Sequence, residues 1–118
     1  MSCNDGFEHV RTSTFEAEYV DETGQLSFDN CAASFRIAAQ EGDAPLLTIT
    51  QSATANGSAT LCEGQVIVVK ITVEDLDTLP LATPPADPWV GWFEADFTQI
   101  DGTVTSLDRG PFILQRGI

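Results

Sequence analysis

Basic residues are scarce in this chain. Lysine and arginine number 5 against 18 aspartates and glutamates, a formal charge of 5 − 18 = −13. Binding to a nucleic-acid backbone draws on counterions released by clustered Lys and Arg, and no such cluster exists here, so nucleic acid is not an expected partner. The same shortage argues against an anionic membrane surface. No apolar run approaches the roughly 18 residues of a membrane-spanning helix. Met1–Asp5 has neither a basic nor an apolar leader segment, so no signal peptide is expected. Histidine is nearly missing. His9 is the only one, read as an exposed residue of an N-terminal arm over Met1–Val10, with no second histidine to share a zinc ion. Nucleophile-elbow, P-loop and dinucleotide glycine motifs are absent. The expectation is a protein that is not an enzyme and uses no cofactor and no catalytic metal.

Cysteine is sparse too. Cys3, Cys31 and Cys62 are odd in number and widely spaced, which is not a disulfide framework. Reduced thiols packed as small apolar groups are expected. A Cys31–Cys62 bridge and an inter-subunit bond through Cys3 stay open as alternatives.

What the chain does contain is alternation. Hydrophobic residues make up 42%, too many for full disorder, and 118 residues suffice for one domain with a modest core. Period-2 patterning dominates. Phe15, Ala17 and Tyr19 face one way in a strand over Thr14–Asp21. Ala33, Phe35 and Ile37 do so over Ala32–Ala39. Leu46–Gln51 is a short strand. Gln65–Glu74 is the densest β-branched run, apolar on both faces at its start, and is expected at the centre of the core. Glu74–Pro80 reads as one helical turn before the proline-rich link Leu81–Pro88. Trp89–Gln99, Thr103–Leu107 and Phe112–Gln115 complete the strands, with Arg109-Gly110-Pro111 expected to break the ladder. Turns are marked at Thr23-Gly24, Glu41–Pro45, Asn56-Gly57 and Asp101-Gly102.

One register can be argued from the pattern. A two-residue turn at Asp101-Gly102 sets Phe97 opposite Ser106, mixing core and solvent faces. A three-residue loop, Ile100-Asp101-Gly102 with Gly102 left-handed and bulged, sets Ala95 against Leu107 and Phe97 against Thr105. The second is expected. About seven strands separated by regular turn signals predict an all-β fold, a single immunoglobulin-like antiparallel β-sandwich over 11–118.

The order of pieces resembles the immunoglobulin-like domain of phage tail and baseplate proteins, such as the N-terminal domain of the baseplate upper protein. The residues that carry the resemblance are Thr14–Asp21, Ala33–Ile37 with Arg36, Leu46–Thr50, Val66–Val73 and the acidic Asp75-Leu76-Asp77-Thr78-Leu79-Pro80. The hairpin Gly91-Trp92-Phe93-Glu94-Ala95-Asp96-Phe97, Asp101–Val104 and Arg109–Phe112 close the match, which spans roughly Arg11–Leu114. The resemblance implies a virion location and partners that are other virion proteins, in multiple copies of a symmetric assembly. The chain stops just after the domain, where many such proteins continue into a coiled coil or fibre. That departure favours a stand-alone adaptor, plug or decoration protein.

Candidate sites are few. Glu94 and Asp96 share a strand face and are read as a solvated, mutually repelling pair rather than as glycosidase-type carboxylates. Glu74, Asp75 and Asp77 lack EF-hand spacing, and a helix-start role is preferred over a calcium site. Trp89 and Trp92 fall on opposite faces of one strand. If Phe93 faces inward, Trp92 points outward beside Val90, so Trp92, Val90 and Trp89 are the candidate interface residues. The leading expectation is a structural virion protein of the tail, baseplate or neck. A capsid decoration protein, or a secreted or cell-surface module binding carbohydrate or calcium, is the alternative.

Overall fold

The computed structural model describes residues 6–20, 32–82, 88–99 and 101–116. The described residues form eight strands: β1 (Phe7–Val10), β2 (Phe15–Val20), β3 (Ala32–Ala38), β4 (Pro45–Ile49), β5 (Ala59–Glu63), β6 (Val66–Ile71), β7 (Trp89–Thr98) and β8 (Val104–Gln115). A single turn of helix, α1 (Val73–Leu76), lies between β6 and β7, started by Thr72 as N-cap. The strands form a five-stranded sheet of order β1-β8-β7-β3-β4 and a three-stranded sheet of order β2-β6-β5. This is an all-β sandwich. Its smaller sheet has the B-E-D order of immunoglobulin domains and its larger one the G-F-C-C′ order.

The alternation in the sequence becomes alternation in burial. Phe15 and Ala17 in β2 face inward, as do Ala33, Phe35 and Ile37 in β3, and Phe93, Ala95 and Phe97 in β7. Rings from both sheets meet in one cluster. Phe35 and Phe93 stack at 5.4 Å, Phe15 meets Phe112 edge-on at 5.2 Å, and Phe7 lies 4.8 Å from Phe93. Each such pair adds about 0.5–1.5 kcal/mol beyond the area it buries.

The structure corrects the sequence reading in four places. First, Phe7–Val10 is not part of a free arm. It pairs in parallel with β8, Phe7 opposite Phe112, because Phe7 completes the aromatic cluster. Among the described residues the sandwich therefore contains one parallel pair, and the part of the expected 1–10 arm before Gly6 lies outside the described residues.

Second, β5 went unread because its alternation is inverted. Polar Thr60 is buried and apolar Leu61 is 59% exposed. Thr60 is satisfied inside by donating its hydroxyl to the Ala33 carbonyl at 3.2 Å. Third, β6 is the middle strand of its sheet, as expected, but only one face is covered. Ile67, Val69 and Ile71 are buried, while Val66 and Val68 stand half-exposed on the outside.

Fourth, β8 runs unbroken through Arg109-Gly110-Pro111. Pro111 lies opposite Trp92, just outside the stretch that β1 covers, where a missing N–H is tolerated. Gly102 has the left-handed φ of 91°, and Phe97 lies opposite Thr105, both as expected. Ala95, however, faces Asp108 rather than Leu107, because the register shifts between Ala95 and Asp96. The shift has a clear cause. Strict alternation from Thr105 would bring Arg109, Pro111 and Ile113 inward. One extra residue at Leu107 restores Phe112 and Leu114 to the core, where both are fully buried. The Thr23-Gly24 turn, Cys3, Cys31 and most of the proline-rich link lie outside the described residues.

Gly91 sits where the sheet leaves no room. A Cβ there would strike the Trp89 ring and approach the Ala38 carbonyl oxygen to 2.7 Å. The ring can turn, but the β3 backbone cannot without disturbing its ladder. Gly91→Ala is expected to lower stability by about 1–3 kcal/mol, read as a reduced urea midpoint with an altered tryptophan emission spectrum.

Candidate functional site

The outer face of the five-stranded sheet carries the only paired apolar rows that its ladder turns to solvent on β7 and β8 among the described residues. Val90 lies opposite Ile113, and Trp92 opposite Pro111. Val90 is 53% exposed, and the other three are half-exposed. The indole Nε1 of Trp92 is buried and has no hydrogen-bond partner among the described residues. On its other side Trp92 lies opposite Ala38 of β3. The same alternation turns Trp89 inward, where it packs against the core margin beside Gly91. Of the three candidate interface residues, Val90 and Trp92 therefore share one surface, and Trp89 does not join them.

Next to this patch runs a charged band. Glu94 is flanked in the ladder by Arg36 on β3 and Arg109 on β8. Arg36 donates to the Asp96 carboxylate at 2.7 Å, and Arg109 reaches towards Glu41 at 4.0 Å. Glu94 and Asp96 are thus not a bare repelling pair, because arginines interleave with them. The band is worth little as stability, since exposed ion pairs contribute at most about 1 kcal/mol. Positive and negative groups thus alternate beside the apolar side chains of the same face.

The acidic turn has a structural role. The Asp75 carboxylate accepts from Thr54 Oγ1 at 2.5 Å and from Asn56 Nδ2 at 2.9 Å. It ties the β4–β5 loop to α1, while Glu74 and Asp77 are exposed. Among the described residues no group of three His, Cys, Asp or Glu is placed to hold a metal ion. Burial works to raise the Asp75 carboxyl, but donors from Ser58, Thr54 and Asn56 outweigh it and hold it below its ordinary value of 3.8.

The C-terminal side of the turn is held by Arg11, which is buried. Its Nη1 donates to the carbonyls of Leu76 at 3.1 Å and Leu79 at 3.0 Å, and its Nη2 to that of Pro80 at 2.5 Å. Burial lowers the pKa of the guanidinium, and the charge of Asp77 opposes that shift. Sequence reasoning missed this latch, because nothing local to Arg11 announces a partner 65 residues away.

His9 is half-buried in β1, edge-on to Phe15 at 5.3 Å, rather than on a tail. Its Nε2 lies 2.7 Å from the Ser13 carbonyl and 3.4 Å from Ser13 Oγ. A contact that short to a carbonyl requires Nε2 to carry the proton. The Ser13 hydroxyl in turn donates to the Val10 carbonyl at 3.3 Å. Tyr19 faces into the sandwich near the buried Asp108. Burial, reinforced by the charge of Asp108, pushes the phenol far above its ordinary value of 10.0. Cys62 is half-buried and packs against the core.

No protein-family model matches the chain, and no curated protein matches it either.

Two titrations test these environments. Asp75→Asn is expected to destabilise the fold by about 1–3 kcal/mol near neutral pH. A lowered carboxyl contributes fully above its unfolded-state pKa and loses that contribution as pH falls through the folded one. The gap between native and variant unfolding midpoints should therefore close below about pH 4. Tyr19 is the only tyrosine, so its absorbance reports one group. Tyrosinate absorbance should be missing in the folded protein above pH 10 and should appear on unfolding. A raised phenol contributes stability below its unfolded-state pKa, so stability should decline as pH rises beyond about 10.

Proposed function

We propose that this protein is a non-enzymatic structural component of a phage virion, an assembly module of the tail, baseplate or neck that docks other virion subunits in multiple copies. The observation that carries the docking reading is the apolar group of exposed Val90 with half-exposed Trp92, Pro111 and Ile113, beside a band of alternating charge. An indole at the centre of an exposed apolar patch is the usual anchor of a protein interface, because it buries a large area at little cost in side-chain entropy. The virion location rests on the resemblance of Asp75–Pro80 and Gly91–Phe97 to the phage tail and baseplate domain. A capsid decoration role would use the same surface. The calcium-binding alternative gains no support, because Asp75 is engaged by Thr54 and Asn56.

The reading is tested on the particle itself. Electron cryo-microscopy of the parent virion is expected to place this sandwich in the tail, baseplate or neck with Trp92 against a neighbouring subunit. Trp92→Ser should fold with an unchanged circular dichroism spectrum and weaken incorporation by about 2 kcal/mol or more. A particle without the protein, or one in which Trp92 faces solvent and its loss changes nothing, refutes the proposal.

A further inference from the structure

We infer that the outer face of the three-stranded sheet is a second docking surface, built for a protein segment whose apolar side chains are flanked by lysine or arginine. The inference concerns a different face from that of Trp92 and does not depend on it. The registers define a grid. Glu16, Lys70 and Ala59 form one outward row, Glu18, Val68 and Leu61 the next, and Val20, Val66 and Glu63 the third. An apolar diagonal therefore runs Val20, Val66, Val68, Leu61, with a carboxylate at each flank, Glu18 on one side and Glu63 on the other. Val20 is 49% exposed. A β-branched strand apolar on both faces is expected to be covered on both, yet β6 is covered only on one. Contiguous exposed apolar side chains rimmed by charge mark sites that bind something.

Charge decides what the occupant is. The face offers Glu16, Glu18 and Glu63 against Lys70, the chain's only lysine. None of the three carboxylates forms an ion pair among the described residues. A second copy docked face to face would set like charge against like, on top of the net −13 of each chain. A basic-rimmed partner instead gains attraction at the rim and burial along the diagonal. The opposite face, where Arg36 and Arg109 interleave with Glu94 and Asp96, carries no such penalty for a like copy. The two outer faces of one sandwich thus select partners of different chemistry.

The test uses two synthetic peptides, one alternating leucine with lysine and one alternating leucine with glutamate, titrated against the intact protein. The lysine peptide is expected to bind, with NMR shift changes centred on Leu61, Val66 and Val68, and to weaken as salt is added. Leu61→Ser with Val68→Thr should reduce its affinity by about tenfold or more. Glu18→Gln with Glu63→Gln should weaken it and flatten its salt dependence. Trp92→Ser should leave it unchanged. Glu41→Gln with Asp43→Asn, which removes charge elsewhere, should also leave it unchanged. All these side chains are at least partly exposed, and the shift map on the unmodified protein gives a readout that needs no variant. The inference is overturned if neither peptide binds or if the glutamate peptide binds as well as the lysine one. It is equally overturned if removing Glu41 and Asp43 costs as much as removing Glu18 and Glu63, which would mean general attraction to an acidic protein.

Discussion

Everything in this sandwich hangs on phenylalanine rings shared between its two sheets. Phe15 comes from the small sheet, and Phe7, Phe35, Phe93 and Phe112 from the large one. No cysteine occurs in β2 or β7, the strands that carry the inter-sheet disulfide in antibody domains. Ring packing takes over that task. It also explains why β1 belongs to the fold. A four-residue strand has little to hold it, and Phe7 supplies the anchor by packing against Phe15 and Phe93.

Two polar clamps complement the rings at the end of the molecule near α1. Arg11 gathers the carbonyls of Leu76, Leu79 and Pro80 at the end of the helical turn, and Asp75 gathers the donors of the preceding loop. Both work because buried polar groups are costly only when unpaired. Within the acidic stretch, read from the sequence as a helix start, Asp75 is thereby spent on holding the loop. Glu16, Glu18, Glu63, Glu74 and Asp77 leave negative charge on the outer surface.

Legibility followed the clarity of the alternation. β2, β3 and β7 each place apolar side chains on every second residue, and their strands and inward faces could be read directly. β5 could not, because buried Thr60 and exposed Leu61 reverse the usual code. β1 was hidden because Glu8 and His9 dilute the signal, and its pairing with β8 spans almost the whole chain. The break expected at Arg109-Gly110-Pro111 was local grammar overruled by the ladder on either side. The candidate surface was half legible. Odd spacing separates Trp89 from Trp92, and Phe93 points Trp92 outward, but the Pro111 and Ile113 that complete the patch come from β8, whose register depends on a bulge that no turn residue marks. Arg11 and its distant carbonyls left no trace in the local pattern.

The bulge at Leu107 also bears on how such a chain can change over time. Substitutions along β8 alter one contact each. Insertion of a single residue just after Asp108 would turn Phe112 and Leu114 to solvent and bring Arg109 and Pro111 into the interior. Length in this strand is therefore far more constrained than composition. The turns can take up insertions that β8 cannot, and the two outer faces can acquire new side chains without disturbing the register beneath them.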